Sequence, residues 1–302
     1  VDTLIEATTE RFDIPNQYYK LKAKLFNVAK LEYHERNVPY ASVNKTYTFE
    51  EATELVDKSL NNIDSEFVEI FRSYLKNNQF DVFPRKGKSD GGFCAHDSSK
   101  EPTYILLNYT NKMQDVLTIA HEVGHGINNE LIKRSQHELY FENSLAIAEV
   151  ASTFMEDFIF EELIKTSTKE EQLSLMVSKL DEDISTIFRQ ISCYKFELKL
   201  HAEFNKKGYM SKKDIGKIFQ ENMKAYMGDY VEQSKGSENW WVYWSHIRSF
   251  FYVYSYASGL LISKSMQNSF KKDKSFIRSV KDLLSAGTSD SPKNIFTKMG
   301  ID

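Results

Sequence analysis

Residues 115–125 of this chain read DVLTIAHEVGH, and this stretch decides how the rest of the sequence is interpreted. Apolar residues recur there at three- and four-residue steps, which predicts a helix over residues 112–131 with one buried stripe. The residues of that stripe are Val116, Ala120, Val123 and Ile127. On this helix His121 and His125 lie one turn apart and point the same way, so they face a common point.

The pattern His-Glu-x-x-His at residues 121–125 has a specific chemical meaning. Two imidazoles one helical turn apart can bind one zinc ion. Glu122, about 100° further round the helix, can reach a zinc-bound water as a general base. We therefore predict a Zn²⁺ site with His121 and His125 as ligands and Glu122 as the base. The alternative is a surface helix that carries two ordinary histidines.

A catalytic zinc takes three protein ligands and keeps a fourth position open, so a third ligand is needed. Glu149 is the only charged residue of the apolar stretch 144–152, and a lone buried carboxylate is costly unless it is paired or bound to a metal. Glu149 is therefore the predicted third ligand, and the alternative places it on a solvent-facing helix surface. The runner-up ligand is Glu142, His96 and His137 are weaker candidates, and Glu156 and Asp157 are candidates for orienting a histidine.

An aromatic run at residues 240–256 contains His246, Tyr252 and Tyr256. Such a run is more often an aromatic core helix than a site. However, peptide hydrolysis needs hydrogen-bond donors for the oxyanion, and tyrosine hydroxyls and a histidine can supply them. If residues 240–270 form one helix, Tyr252 and Tyr256 share a face and Tyr254 points elsewhere. His246, Tyr252 and Tyr256 are therefore the predicted donors.

Composition excludes several classes of protein. The 39 basic and 43 acidic residues give a net charge of −4, which argues against a nucleic-acid partner held by a basic surface. Cys94 and Cys193 have no metal or redox spacing. The longest uncharged run, 249–263, is too short to span a membrane, and no signal peptide is visible. The chain opens without Met, so we expect that it is a fragment.

Most of the chain has the periodicity of helices, and glycine and proline are few. Helices are predicted over residues 2–11, 15–34, 48–61, 63–77, 112–131, 144–165, 168–205, 211–226, 240–270 and 273–284. Two short strands are predicted at Gly92–Ala95 and Thr103–Leu107, and they form the only plausible sheet. The expectation is one mainly α domain with a small β-sheet.

Taken together, these motifs resemble the oligoendopeptidase F type of the thimet-oligopeptidase-like M3 metallopeptidases. The resemblance rests on His121 to His125, on Glu149 within AEVASTF, and on His246 before the FYVYSYASG stretch. Supporting stretches are PRKGK at 84–88, GGF at 91–93, LLNYT at 106–110, SAG at 285–287 and the ending Gly300-Ile301-Asp302. The resemblance runs nearly from end to end of the chain.

The resemblance implies a cytoplasmic zinc peptidase that cleaves short peptides, with a zincin-like, mainly α fold and a deep channel. It assigns the metal to His121, His125 and Glu149, the base to Glu122, and the donors to His246 and the Tyr252–Tyr256 segment. It also implies a small β-sheet beside the active-site helix, with Gly91–Ala95 and Tyr104–Tyr109 as strands that pair with extended substrate.

Family members are about twice as long as this chain. Residues 1–302 therefore resemble the catalytic part, with the N-terminal lobe of the family absent from this sequence. The alternatives are an inactive or weakly active peptide-binding fragment of such an enzyme, and a helical scaffold with a fortuitous motif.

Overall fold

The computed structural model of the protein describes residues 1–41, 45–144 and 147–300. Leu145 and Ala146, from the apolar stretch around Glu149, lie outside the described residues, as do Ile301 and Asp302. The chain divides into two compact units. Unit 1 comprises Val1–Ser42 and Gln172–Ser258, and unit 2 comprises Val43–Glu171 and Gly259–Asp302.

Helices make up most of the described chain, as the sequence predicts. They are α1 (Asp2–Glu10), α2 (Asp13–Leu25), α3 (Phe49–Asn61), α4 (Ser65–Lys76), α5 (Met113–Ser135), α6 (Val150–Lys165), α7 (Lys169–Ile184), α8 (Gln190–Lys207), α9 (Lys212–Met227), α10 (Tyr254–Lys272), α11 (Ile277–Leu284) and α12 (Pro292–Lys298). The strands are β1 (Leu31–Glu32), β2 (Phe80–Asp81), β3 (Phe93–Ala95), β4 (Tyr104–Leu106) and β5 (Val231–Glu232). The mainly α prediction is confirmed.

Unit 1 is built around an aromatic core to which α2, α8 and α9 contribute. The predicted helix over residues 15–34 is wrong beyond Leu25, because Asn27 takes a left-handed conformation with φ 55°. Leu31 instead lies in β1, which pairs in parallel with β5 at Val231. This second sheet was not predicted, since its strands are two residues long and come from distant parts of the chain.

Unit 2 is organised around α5, which packs most extensively against α6. The buried stripe predicted for α5 is confirmed, because Val116, Ala120, Val123 and Ile127 are all buried. A three-stranded sheet in the order β2-β4-β3 accompanies this helix pair. β3 and β4 are antiparallel, with Cys94 opposite Ile105, and correspond to the two predicted strands.

The small sheet lies directly beside α5, as predicted. A Cβ atom on Gly92, next to β3, would come within 2.9 Å of the Thr118 methyl group and 3.2 Å of a Glu122 carboxylate oxygen. Glycine therefore permits the close approach of this strand to the helix. Within the described ranges, no helix combines the length and the apolar character that crossing a membrane requires.

Candidate metal centre

The α5 helix carries the His-Glu-x-x-His motif in its third and fourth turns. It begins where the Asp115 carboxylate accepts hydrogen bonds from the backbone N–H groups of Thr110 and Lys112, at 2.7 and 3.0 Å. A carboxylate at this end also complements the helix dipole. The rings of His121 and His125 leave the same face of the helix, with centroids 5.0 Å apart and planes at 79°. Both predicted imidazole ligands therefore point to one region.

Glu149 brings a carboxylate to the two histidines. Its Oε2 atom lies 3.5 Å from His121 Nε2 and 3.7 Å from His125 Nε2. One ligand atom from each of the three residues can be chosen so that all lie within 4.8 Å of one another. The helix predicted over residues 144–165 starts later than expected, since Glu149 is the residue immediately before α6.

Two glycines allow the backbone to come close enough for this arrangement. A Cβ atom on Gly124 of α5 would lie 2.6 Å from Ser152 Cα and 2.8 Å from the Ala151 carbonyl oxygen, both on α6. A Cβ atom on Gly259 of α10 would lie 2.7 Å from Glu149 Cβ. Any larger residue at either position would push back the backbone that presents Glu149.

No specific role was predicted for Gly259. A glycine inside a helix costs about 1 kcal/mol of stability relative to alanine. Its presence in the helix predicted over residues 240–270 was therefore the available sign that another group packs closely there. Gly126 makes room for a side chain instead of a backbone segment, because a Cβ atom there would lie 2.6 Å from the ring of Tyr74. The Tyr74 hydroxyl donates a hydrogen bond to the Gly126 carbonyl oxygen at 2.8 Å.

Glu156, one of the two carboxylates considered for orienting a histidine, lies against His121. Its Oε2 atom is 3.2 Å from His121 Nδ1, and the side chain is buried on α6. Each nitrogen of the His121 ring therefore faces a carboxylate: Nδ1 faces Glu156 and Nε2 faces Glu149. Asp157, the other candidate, forms an ion pair with Lys264 of α10.

Glu122 is buried between α5 and β3, with 7% of its surface exposed. Burial raises the pKa of this carboxyl, and the positive charge of His121 opposes the rise. A hydrogen bond from the Cys94 backbone N–H also favours the carboxylate. A carboxyl whose pKa is raised from its usual range is suited to accept and return a proton.

The electrostatics of the three candidate ligands favour an anionic Glu149 and a neutral His125. Burial alone would raise the pKa of Glu149, but the hydrogen bond and the charge of His121, with the charge of His125, lower it. Burial and the charge of His121 lower the pKa of His125. A carboxylate and a neutral imidazole are the forms that bind zinc.

The donor set fits zinc. Two imidazole nitrogens and one carboxylate oxygen are a known catalytic set, and ligands about 2.0–2.2 Å from a tetrahedral ion lie about 3.3–3.6 Å from each other. The carboxylate-to-imidazole distances of 3.5 and 3.7 Å are close to that spacing. A carboxylate on the outer nitrogen of a ligating histidine, as Glu156 supplies to His121, is the usual support of such a site.

The other ligand candidates have different surroundings. His96 Nδ1 lies 3.0 Å from Asn129 Nδ2, and His137 accepts a hydrogen bond from the Leu139 backbone N–H at 3.3 Å. Glu142 is exposed in the loop before α6. None of these three belongs to the metal-ligand cluster found among the described residues.

His246, Tyr252 and Tyr256 form a cluster of their own within unit 1. The Tyr256 hydroxyl lies 3.0 Å from His246 Nε2, and the rings of His246 and Tyr252 stack with centroids 5.6 Å apart. The Tyr252 and Tyr256 rings are 5.5 Å apart. Burial and the charge of Arg189 lower the pKa of His246, which favours its neutral form. The structure thus brings the three predicted donors together.

The backbone that carries these donors differs from the prediction. The helix expected over residues 240–270 is wrong in its first part, which consists of 3₁₀ turns at Ser237–Val242 and Ser245–Arg248. Phe250 and Phe251 have left-handed φ values of 42° and 57°, which bulky residues rarely adopt. Tyr252 therefore precedes α10, and only Tyr256 lies on it.

Glu197 was not identified from the sequence, although it supports this break. Its buried carboxylate accepts a hydrogen bond from the Phe251 backbone N–H at 2.9 Å. Tyr254 is the first residue of α10, and its ring packs on Tyr194, with the two ring centroids 6.1 Å apart, rather than on His246. A single charged residue on a helix offers no sequence signal that it holds a distant loop.

The comparisons with known proteins place the chain among peptidases. The family model of peptidase family M3 matches residues 7–302. An oligoendopeptidase F homologue of Borreliella burgdorferi is 29% identical over 304 residues, covering 99% of this chain and 51% of that protein. Oligopeptidase PepF of Bacillus subtilis is 26% identical over 309 residues, covering 100% of this chain and 45% of that protein.

Solved structures share the fold of this chain. A crystal structure from Chlamydophila abortus, described as a peptidase, superposes with a TM-score of 0.87 at 25% identity over 100% of this chain and 51% of that one. The oligoendopeptidase F of Enterococcus faecium superposes with a TM-score of 0.71 at 20% identity, over 100% of this chain and 47% of that one. The predicted zincin-like, mainly α fold class is confirmed. The chain spans about half the length of the curated relatives it matches.

Proposed function

The chain belongs to peptidase family M3, and from that premise we propose that it is the catalytic part of a metalloendopeptidase. The proposed reaction is hydrolysis of peptide bonds in short oligopeptides. The observation that carries the proposal is the convergence of His121, His125 and Glu149, three chemically suitable ligands from two helices and their flanks, beside the buried Glu122.

His121, His125 and Glu149 would hold a zinc ion through Nε2, Nε2 and Oε2. When bound, the ion supplies a Lewis acid for the scissile carbonyl and lowers the pKa of a water molecule at its open position. Glu156 would hold the ring of His121 in the orientation that directs Nε2 to the ion, because it faces Nδ1 of the same ring.

Glu122 is the proposed general base. It takes a proton from the water that attacks the scissile carbonyl and returns it to the leaving amine. Burial raises the pKa of this carboxyl, and the Cys94 backbone opposes the rise. The position immediately after the first ligand on α5 keeps this carboxylate next to the metal ligands without making it one of them.

His246, Tyr252 and Tyr256 are the proposed donors for the oxyanion of the transition state. Their cluster is held in place by stacking and by the contact of the Tyr256 hydroxyl with His246. Donors that are fixed in advance pay no reorganisation cost when charge develops on the substrate oxygen. Tyr256 is favoured over Tyr252, since it lies on a regular helix.

The proposed substrate is an extended peptide. Within the described chain β3 is one of the two edge strands of its sheet, so its outer backbone groups can pair with a substrate strand. A cavity of about 130 Å³ lies where β3 begins and β4 ends, against α5, with Gly92, Asn108 and Thr118 among its walls. Backbone pairing is independent of side-chain identity, which suits a peptidase for varied short peptides. A cytoplasmic location and the absence of nucleic-acid partners stay predictions.

Metal content together with peptide cleavage tests the proposal. The purified chain, dialysed against zinc-containing buffer, should bind one zinc ion and cleave a fluorogenic peptide. Glu122→Gln should keep the zinc and lose turnover, whereas Glu142→Gln, an exposed glutamate outside the cluster, should retain both. A series of peptides of increasing length measures the size limit.

Each alternative has its own outcome. Zinc binding with peptide affinity but no cleavage would favour a peptide-binding fragment, which is a serious candidate because the chain spans about half of its relatives. No zinc binding would favour a helical scaffold and would overturn the proposal. If Glu122→Gln retained turnover, the role of Glu122 as general base would be refuted, and the other assignments would stand.

A further inference from the structure

The edge strand β3 offers few backbone groups to a bound peptide. The Ile105 N–H group donates to the Gln79 carbonyl oxygen, on the β2 side of β4. Backbone groups alternate in direction along a strand, so Cys94, which lies opposite Ile105, has its N–H and C=O on the outer edge. Phe93 and Ala95 pair with β4 instead. Because β3 can hold a substrate strand through only one of its three residues, a longer peptide needs a further donor.

The strand β3 runs along α5 in the direction of that helix. Just before β3, a Cβ atom on Gly92 would lie 3.2 Å from a Glu122 carboxylate oxygen. Two residues later, the Cys94 Sγ atom lies 3.6 Å from Asn129 Nδ2. Asn129 is one turn, about 6 Å, beyond His125 on α5. A peptide on the outer edge of β3 therefore passes the candidate metal ligands and then reaches the level of Asn129.

The side chain of His96 lies at that level. His96 immediately follows β3, and the two-residue period of a strand puts its side chain on the same sheet face as Cys94. Its Nδ1 atom lies 3.0 Å from Asn129 Nδ2, and its ring packs edge to face on Phe141 with the centroids 5.3 Å apart. Asn129 and Phe141 are 2% and 4% exposed, so two buried side chains hold the ring.

The Asn129 amide determines which nitrogen of His96 carries a proton. An amide Nδ2 is a donor, so Nδ1 of His96 accepts and the ring proton lies on Nε2. Nε2 makes no hydrogen bond to any residue within the described ranges, and the His96 side chain is partly exposed. The ring therefore presents one oriented N–H donor that a ligand can use.

We propose that His96 is a substrate-binding residue whose Nε2–H group donates to a main-chain carbonyl oxygen of the peptide. This inference rests on the proposed peptidase function. An extended peptide advances about 3.3 Å per residue, and the turn of α5 from His125 to Asn129 spans about 6 Å. The carbonyl is therefore about two or three residues from the scissile bond. Every peptide presents a carbonyl there, so the contact does not select a side chain.

A nested series of peptides tests the proposal. Peptides with blocked termini are extended by one alanine at a time on each side of the cleaved bond, and kcat/KM is measured by chromatography of the products. In the unchanged chain, adding the residue that reaches His96 should raise kcat/KM. His96→Phe keeps a ring against Phe141 but has no donor, so it should lower kcat/KM for these longer peptides by about 3–10-fold. Both chains should cleave the shorter peptides equally.

Two variants and one modified peptide separate this contact from a structural role. His96→Gln keeps an N–H donor near the position of Nε2 and should recover part of the loss. His34→Phe, the same substitution at an exposed histidine of unit 1, should cleave every peptide like the unchanged chain. A long peptide with the relevant carbonyl replaced by methylene should be cleaved equally by the unchanged chain and by His96→Phe, because the acceptor is absent.

The outcomes are distinct. An equal loss for peptides of every length would show that His96 acts only on the structure of the site and would overturn the proposal, as would an unchanged kcat/KM in His96→Phe.

Binding of the longest peptide to zinc-loaded Glu122→Gln, followed by fluorescence anisotropy, needs no turnover. Adding His96→Phe should raise Kd by about 3–10-fold. Equal Kd values would refute the role of His96 alone. If the unchanged chain neither binds nor cleaves any peptide, the proposed function is refuted together with this inference.

Discussion

The candidate metal ligands and the candidate hydrogen-bond donors are held by different kinds of backbone. His121 and His125 stand on the continuous helix α5, and Glu149 immediately precedes α6, which packs against it. Of the donors, His246 lies in a 3₁₀ turn, Tyr252 follows two phenylalanines with left-handed φ values, and only Tyr256 lies on α10. The first region rests on regular packing, and the second depends on a strained loop.

This difference predicts which substitutions disturb each region. In the ligand region the geometry is set by backbone contacts, such as that of Gly124 with Ser152. In the donor region it is set by side-chain contacts, including Glu197 with the Phe251 backbone. We therefore expect substitutions to act on metal affinity in the first region, and on turnover or loop stability in the second.

The largest effect is expected from Tyr256→Phe. Removing one oxyanion donor costs about 2.7–4 kcal/mol of barrier, which is about 10²–10³-fold in kcat. Because the donor acts in the transition state, KM and zinc content should change little. Steady-state kinetics with a fluorogenic peptide, together with metal analysis, measure both quantities.

Tyr254→Phe is the matched control, since its ring lies against Tyr194. It should retain nearly full turnover. If Tyr252→Phe loses kcat while Tyr256→Phe does not, the donor is Tyr252. If all three variants lose equal activity, the donor cluster has a structural role only.

The second prediction concerns Glu156→Gln in the ligand region. The amide keeps the size of the side chain but removes the charge beside His121 Nδ1. Loss of such a supporting carboxylate weakens metal affinity by about 10–100-fold. Competition with a chromophoric zinc chelator measures the affinity, and Glu161→Gln, also on α6 but more exposed, is the control. Equal affinities of the two variants would rule out an orienting role for Glu156.

The ligand region could be predicted from sequence because its geometry is encoded locally. Helical periodicity alone brings His121 and His125 together, and the isolated charge of Glu149 marks it in an apolar stretch. Gly259 was beyond such reasoning, because its contact with Glu149 joins segments that are far apart in sequence. Helical periodicity predicted the mainly α fold and the family resemblance implied the same fold, but neither showed these contacts.

The donor region was predicted less well. Aromatic residues fit helical periodicity as readily as they fit an irregular segment, so the run at 240–256 concealed the break at Phe250 and Phe251. Tyr252 and Tyr256 do lie close together, but through the packing of their rings around His246 and not through a shared helix face. Tertiary contacts, including the bond from Phe251 to Glu197, decide the backbone there.

A third prediction uses the paired glycines of α5. Gly124→Ala and Gly126→Ala both introduce a methyl group into occupied space, and overpacking costs about 1–3 kcal/mol of stability. Gly124→Ala meets the backbone of α6 and so should also displace Glu149 and weaken zinc binding. Gly126→Ala meets the Tyr74 ring and should leave zinc affinity unchanged. Denaturant unfolding and zinc titration check the two quantities, and equal zinc affinities would contradict the role given to Gly124.

The smallest effect, below about 1 kcal/mol, is expected from Glu197→Gln, and it depends on pH. Burial raises the pKa of Glu197 in the folded chain above its unfolded value. The folded state therefore binds more protons, and the contribution of this residue to stability falls as pH rises through the interval between the two pKa values. The glutamine carbonyl can still accept the bond from Phe251 without carrying a charge. Relative to the unchanged chain, the variant should gain stability as pH rises from about 4 to above the folded pKa, and a pH-independent difference in unfolding free energy would show that Glu197 does not titrate with folding.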